Sequence, residues 1–295
     1  MSVKPSPVFK PVEAPSLPVH EVPPVPVLPV ASAPRRKVPL RVRRYLVRSL
    51  ALLVALLLWQ LASSTGFELF VKFENVPTPV AVWQALLVEL SSGEFYLHIL
   101  HSLQRIGIAF ALAAVLGVSL GIAMGRSPLA EDIILPYIEL LRPIPAVAWI
   151  PLAILMMPSE ESSIIFITFL GALFPVVLNT CQGVEQSSKL LVRAARSLGA
   201  SRTAILWHVV IPGAMPSIVT GLAVGMGVAW FSLLAGEIIS GQYGIGYFTW
   251  ASYTLIEYPK IIIGMLAIGG LGTLCTLLVR LACSPLLRWQ KRGGH

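Results

Sequence analysis

RAARSLGASRTAILWHVVIP, Arg193 to Pro212, is the longest polar interval among the hydrophobic runs that follow Tyr45. It holds Arg193, Arg196, Arg202 and His208 and no acidic residue. Runs long enough to span a bilayer flank it, and a basic loop between two spans faces the cytoplasm. Its own residue order predicts helix, turn, helix. Arg193, Ala194 and Ala195 are helix formers, and the alanines leave a flat, small surface. Gly199 can take positive φ and turn the chain. Ser201 then caps a second short helix through Leu206, and Pro212 suits the first turn of the helix that follows. A two-helix projection at a membrane surface has the shape of something that docks into a cleft on a partner.

The composition agrees with a membrane setting. Hydrophobic residues make up 56% of the chain and charged residues 12%, with a mean hydropathy of +0.79. A soluble domain carries about 25% charged residues. The formal charge of +8 would suggest nucleic acid in a soluble chain. Here the basic residues sit beside the spans and follow the positive-inside rule, so no nucleic-acid partner is expected. Cys181, Cys275 and Cys283 lie in or near apolar runs and form no CxxC pair, which supports neither a zinc site nor a disulfide framework.

Working outward toward the N-terminus, residues 1–40 are rich in Pro and Val and read as a disordered, extended cytoplasmic tail. Its PPVPVLP segment could serve docking, but a passive tail is the simpler reading. No apolar region sits where a signal peptide would place it. Arg35, Arg36, Lys37, Arg41, Arg43, Arg44 and Arg48 form a basic collar that keeps this end inside. The first span, 45–64, reaches about 30 Å as a helix, the hydrocarbon thickness. Residues 66–96 carry Glu68, Glu74, Glu89 and Glu94 against Lys72, which fits the outer face, and Thr78-Pro79 opens an interfacial helix with Trp83 as an anchor. The second span covers 98–124. Its Gly117, Gly121 and Gly125 give a small face for helix packing. His98 and His101 are spaced to share a metal but lack a third ligand, so a membrane-edge position is expected; Arg105 lies inside the outer boundary or snorkels to it.

The third span, 133–157, contains Pro136, Pro143, Pro145 and Pro151 and cannot be a regular helix. Arg142 in this broken zone is either a substrate-pathway residue or a structural partner of Glu139 and of carbonyls freed by the prolines. Asn179, in the fourth span (164–183), either bonds across helices or caps a kink near Pro175, or it lines the path. The fifth span, 214–235, has Gly221, Gly225 and Gly227 for close packing, expected against a pore axis or a second copy. Glu237 to Tyr258 is expected outside, and its GEIISGQYGIGYF segment suits a re-entrant gate or an interfacial helix. Trp230, Glu237 and Gln242 join Arg142 and Asn179 as candidate pathway residues. The sixth span, 261–283, ends at Arg288, Lys291 and Arg292, inside. The expected fold is all-α, with six spans within 41–292, both termini cytoplasmic, and 184–212 as an inner loop.

The loop also resembles a known motif. Ala194, Ala195, Gly199, Val209, Ile211 and Pro212 fall on the pattern of the EAA loop of ABC importer permeases, with Arg193 replacing the acidic residue that names it. LRPIPAVAWIPL (140–151), FPVVLNTCQGV (174–184) and AWFSLLAGEIISGQYGIGY (229–247) resemble the nitrate/sulfonate/taurine/bicarbonate permease group. The similarity covers roughly Trp59 to the C-terminus. It implies a type I importer permease fold in a bacterial inner membrane. It also implies a second permease copy as a homodimer, a cytoplasmic ABC ATPase dimer that carries the ATP and Mg, and a periplasmic or lipid-anchored substrate-binding protein. Arg193, Ala194, Ala195, Gly199, Val209, Ile211 and Pro212 would couple to the ATPase, and the substrate would be a small anion. No G-x-x-x-x-G-K-S/T loop occurs, so the chain itself should bind no ATP and carry no catalysis.

Two other classes compete. A secondary transporter would show repeated halves and buried carboxylates for ion coupling; no clear repeat is visible, and Glu139 is the main carboxylate in the spans. A scaffold or sensor would need a folded soluble domain, and the Pro-rich tail is the only extramembrane segment of any length. An importer of a neutral or cationic nutrient is a variant of the first reading.

Overall fold

The computed structural model describes residues 40–65 and 75–287. The Pro-rich tail with Arg35, Arg36 and Lys37, the 66–74 stretch with Glu68, Lys72 and Glu74, and the terminal Arg288, Lys291 and Arg292 lie outside the described residues. The chain divides into two units, Met1–Ala51 and Leu52–His295, and the elements that position the site belong to the second. All regular structure among the described residues is helical. In order these are α1 (Leu40–Thr65), α2 (Pro79–Ser91), α3 (Gly93–Arg126), α4 (Pro128–Leu141), α5 (Ile150–Met156), α6 (Glu160–Glu185), α7 (Lys189–Ser197), α8 (Arg202–Ile205), α9 (Ile211–Ser240), α10 (Ile245–Thr254) and α11 (Tyr258–Cys283). Among the described residues, five helical stretches are long and apolar enough to cross a membrane, and α4 with the 146–156 segment makes a sixth crossing if the pair is one span.

That pair is bent by 86°. Pro136 is accommodated inside α4, which ends at Leu141; Pro143 follows in the turn, and Pro145 takes ψ 138° and leads into the next segment. A 3-10 turn, Ala146–Trp149, and then α5 follow, with Pro151 in the first turn of α5, where its missing N–H is harmless.

The core is a row of three helices, with α6 between α3 and α9. Small residues set the spacing. A Cβ added at Gly117 would come within 2.8 Å of Val176, at Gly121 within 2.6 Å of Thr180 and at Gly125 within 2.7 Å of Val184, all on α6. On the other side, Gly221 of α9 sits against Asn179 at 2.7 Å and Gly225 against Val176 at 2.9 Å. This close approach gains dispersion contact where lipid offers no hydrophobic drive for helix association. Gly227 differs, with no neighbour within 4 Å; it faces an open groove beside α11. Ile106, Ala113, Ile164, Ala172, Met226, Ala229, Trp230 and Leu233 fill the middle of the row. α11 packs on α9 and α10, and α2 on α11. Lys260 ties this rim through Glu89 at 3.1 Å and Glu257 at 2.9 Å.

Candidate functional site: a two-helix loop, a cavity and a buried charge knot

The loop is built from local signals. Ser188 caps α7 by accepting from the Leu191 N–H at 3.4 Å, and Ser201 caps α8 by accepting from the Ala204 N–H at 3.2 Å. Between them Gly199 has φ +84°. Its N–H donates to the Arg196 carbonyl and the Ala200 N–H to the Ala195 carbonyl, each at 3.0 Å. That pair of bonds is the Schellman closure, and it needs the left-handed residue at Gly199. Ala195 and Ala200, brought together by the closure, pack with Ile205, Val210, Ala214 and Val184 in one apolar cluster.

The segment around Pro212 differs from the expectation of a fresh helix start. Leu206–Val210 form a π turn, the Ile211 N–H reaches back to the Leu206 carbonyl, and α9 continues without a break. Pro212 has no N–H to give the residue four back and would crowd its carbonyl; the wider π turn removes the conflict. The ring Nδ1 of His208 donates to the Ala204 carbonyl at 3.0 Å. The result is one helical rod, Arg202–Ile239, that is 38 residues long. Ser187 pins its base, with its hydroxyl 3.3 Å from the carbonyls of both Gly183 and Val210. Val209 belongs to the apolar cluster, Ile211 does not, and the buried positions that anchor the loop are Ile205 and Val210. Arg193, Ala194, Arg196 and Arg202 are exposed, and Leu198 at the tip is 88% exposed.

A cavity of roughly 740 Å³ lies alongside α6. Arg142 and Asn179 both line it, with Trp149, Phe174, Phe231 and Ser232, and with Glu131 and Glu185 among its charged residues. The bend between α4 and α5 puts Arg142 there. Its side chain is exposed and makes no ion pair with Glu139 or any other described residue. Asn179 donates to the Pro175 carbonyl at 2.8 Å, one turn back on its own helix, so its amide is spent beside the proline and not on a neighbouring helix. Trp230, Glu237 and Gln242 do not line this cavity. Trp230 is buried against α11, and Gln242 is exposed in the turn after α9.

Glu237 sits inside α9 rather than in an outer loop and is fully buried. Its carboxylate accepts from Ser102 Oγ at 2.7 Å, from Arg105 at 3.0 Å and from the Gly246 N–H at 2.9 Å. Arg105, 3% exposed, also donates to the Tyr243 carbonyl and forms a two-pronged pair with Glu161 at the start of α6. Ser102 accepts from the Ile245 N–H at 2.9 Å, and His98 Nδ1 accepts from the Gly244 N–H at 3.1 Å. His98 therefore uses a ring nitrogen on the backbone, and His101 stacks on Tyr243 at 5.0 Å. The knot joins α3, α6, α9 and α10. Sequence reasoning missed it, although His98, Ser102 and Arg105, at i, i+4 and i+7 on an apolar helix, were its signal. Glu139, singled out as the main carboxylate in the spans, is exposed.

Five apolar helical stretches among the described residues, six if the bent pair is one span, with a glycine-spaced three-helix row and a capped two-helix projection fused to one of its helices, define a multi-pass membrane transport subunit. Residues 113–287 match the family described as binding-protein-dependent transport system inner membrane component, and the chain belongs to that family. It is 35% identical to the taurine transport system permease protein TauC of Escherichia coli (strain K12), over 73% of this chain and 80% of that one. It is 33% identical to the nitrate import permease protein NrtB of Synechocystis sp., over 77% and 83%. It is 34% identical to the bicarbonate transport system permease protein CmpB of the same organism, over 74% and 80%. The chain is thus a non-catalytic, membrane-spanning permease subunit of an ABC transport system.

Proposed function

We infer that the chain is the permease of an ATP-driven importer that moves a small anion of the nitrate, bicarbonate, taurine or sulfonate class inward by alternating access. The observation that carries this is the unbroken rod from Arg202 to Ile239. A force applied to α8 by a partner is transmitted to a core span without a hinge, which is what coupling requires. In this reading α7 and α8 face the cytoplasm, as do both termini, in a bacterial inner membrane. They dock an ABC ATPase dimer that holds the ATP and Mg, through the exposed Ala194 and Gly199 with Arg193 at the border of the contact, while Ala195 holds α7 to the apolar cluster and Val209, Ile211 and Pro212 join the loop to the span. A second copy completes a homodimer, and a periplasmic or lipid-anchored binding protein delivers substrate to the far face. The cavity with Arg142 and Asn179 is half of the path, and the Arg142 side chain, without an ion pair, suits an anion. The names of the relatives support the anion class.

One observation favours a second substrate reading: the same cavity carries Glu131 and Glu185 against Arg142, with Trp149 and Phe231. Such a lining suits a neutral or cationic organic nutrient. The test is affinity purification of the detergent-solubilised protein from its native membrane with mass spectrometry, beside uptake assays. A stoichiometric ABC ATPase, lost in Gly199→Asp together with uptake while membrane insertion persists, is expected. Normal uptake in Gly199→Asp sinks the coupling role, and uptake with no ATPase present points to a secondary transporter.

A further inference from the structure

The arginines of the loop do not share a face with its exposed apolar residues. On α7, Lys189, Arg193 and Arg196 fall at i, i+4 and i+7 and make one stripe, while Leu190, Ala194 and Leu198 fall at i, i+4 and i+8 and make another. Val192 and Ala195 hold the helix to the core between the two stripes. The apolar stripe is open to a protein partner. The basic stripe instead lines a cleft of roughly 410 Å³ whose other walls are Gly125 and Arg126 at the end of α3, Val184 and Glu185 at the end of α6, and Val210 just before α9. A second cleft, roughly 750 Å³, shares Arg126 and Arg196 with the first and adds Arg202. Together they form a furrow with five cations and Glu185 as its one carboxylate. None of the five makes an ion pair among the described residues; Arg126 has only a 3.5 Å contact to the Arg202 carbonyl.

Like charges gathered in one furrow repel unless an anion joins them. The furrow walls are the last residues of the spans, so its depth along the helices is that of a phospholipid headgroup. Trp207, 62% exposed on the adjoining π turn, is the residue type that settles at that level. We propose that this furrow binds the phosphate of an anionic phospholipid from the leaflet around the loop. Arg126 and Arg196, common to both clefts, grip the phosphate with paired N–H donors. Lys189, Arg193 and Arg202 add charge around it. The proposal rests on the reading of α7 and α8 as a membrane-surface loop. It makes lipid a second occupant of that loop, on the basic stripe beside the apolar one that meets the ATPase, with Arg193 at the border of the two.

The test uses the full chain with whatever subunits co-purify, stripped of lipid in detergent, then titrated with phosphatidylglycerol and phosphatidylcholine and read by native mass spectrometry. Phosphatidylglycerol should be retained at least tenfold better. Each cation near an anionic lipid contributes about fivefold, so Arg126→Gln with Arg196→Gln should cut retention by roughly thirtyfold, while the double lysine variant, which keeps the charge and loses the paired donors, should fall between the glutamine variant and wild type. Equal retention of the two lipids, or an unchanged preference in the glutamine variant, overturns the proposal. Inorganic phosphate at 10 mM should leave the lipid bound; complete displacement would overturn the lipid assignment in favour of a soluble anion. Leu198→Asp should release the ATPase and keep the lipid preference. If the glutamine variant instead releases the ATPase and keeps the lipid, the furrow is a protein dock and the proposal fails. Absence of any ATPase from the wild-type preparation would defeat the importer reading alone, because the lipid count is scored separately.

Discussion

The two ends of α9 treat charge in opposite ways. At one end Glu237 is fully buried with three donors on its carboxylate, and Arg105 beside it is shared between Glu237 and Glu161. At the other end Arg193, Arg196 and Arg202 are exposed and unpaired within the described residues. The helix between them, 30 residues, spans about 45 Å. A charge in a helical bundle therefore reports its role through its partners. The saturated knot makes α3, α6, α9 and α10 one body. The unsaturated end finds no ion-pair partner among the described residues and leaves its surface open for the docking proposed above. A lever needs both: a stiff body at one end and a free contact surface at the other.

The sharpest break in that comparison is Glu237→Ala. It leaves the Arg105 cation buried with only Glu161 to answer it and strands the Ser102 hydroxyl and Gly246 N–H. Removing one partner of a buried pair costs about 3–5 kcal/mol, enough to abolish a stable fold in detergent or lower its unfolding midpoint by several degrees. Arg193→Ala, at the other end, should stay within about 0.5 kcal/mol of wild type. Thermal unfolding followed by size-exclusion chromatography measures both. A Glu237→Ala protein as stable as wild type would mean that packing alone joins the four helices, and the contrast between the ends would dissolve.

The loop was legible because its signals close within a few residues. Gly199 turns the chain, its N–H bonded to the Arg196 carbonyl and the Ala200 N–H to the Ala195 carbonyl, and Ser201 caps the Ala204 N–H, all inside one short segment. The knot was not, because Arg105 and Glu237 are 132 residues apart and their pairing exists only after α3 and α9 have both packed. Pro212 misled for a physical reason: proline marks a helix start in sequence, yet a π turn lets the rod continue through it. The prolines of the third span announced a break, while the 86° bend that carries Arg142 to the cavity depends on α6 behind it. Trp230 illustrates the limit for pathway residues. Its neighbours Phe231 and Ser232 line the cavity, but each helical residue turns about 100° from the last, and Trp230 points into the core.

A smaller effect separates two glycines with left-handed backbone, one near each end of α9. Gly244 has φ +124°, and an added Cβ would strike the Glu237 carboxyl; Gly199 has φ +84° and nothing within 4 Å of that position. Gly244→Ala should therefore combine backbone strain with displacement of the knot and cost about 1–3 kcal/mol. Gly199→Ala carries backbone strain alone, about 1 kcal/mol, and confines it to a projecting turn. Unfolding midpoints should rank the variants in that order, with Gly199→Asn nearer wild type because asparagine tolerates the left-handed region. A reversed ranking would place the tighter structural demand in the loop.

The smallest expected effect sharpens the boundary of the knot. Glu161 opens α6, where the helix dipole also favours a carboxylate, and its side chain is 54% exposed. Water and salt screen its pair with Arg105 far more than they screen Glu237, so Glu161→Gln should cost no more than about 1 kcal/mol. The amide still accepts one bond from the guanidinium, and Arg105 keeps its buried partner. The two carboxylates should also differ in salt response. Raising the salt to about 0.5 M shortens the screening length to a few ångströms and should erase the small deficit of Glu161→Gln. The deficit of Glu237→Ala should persist, since no ion enters that site. Unfolding midpoints of both variants at low and high salt decide the matter. A salt-insensitive loss in Glu161→Gln, as large as that of Glu237→Ala, would move the structural centre of the knot from the buried arm of Arg105 to the exposed one.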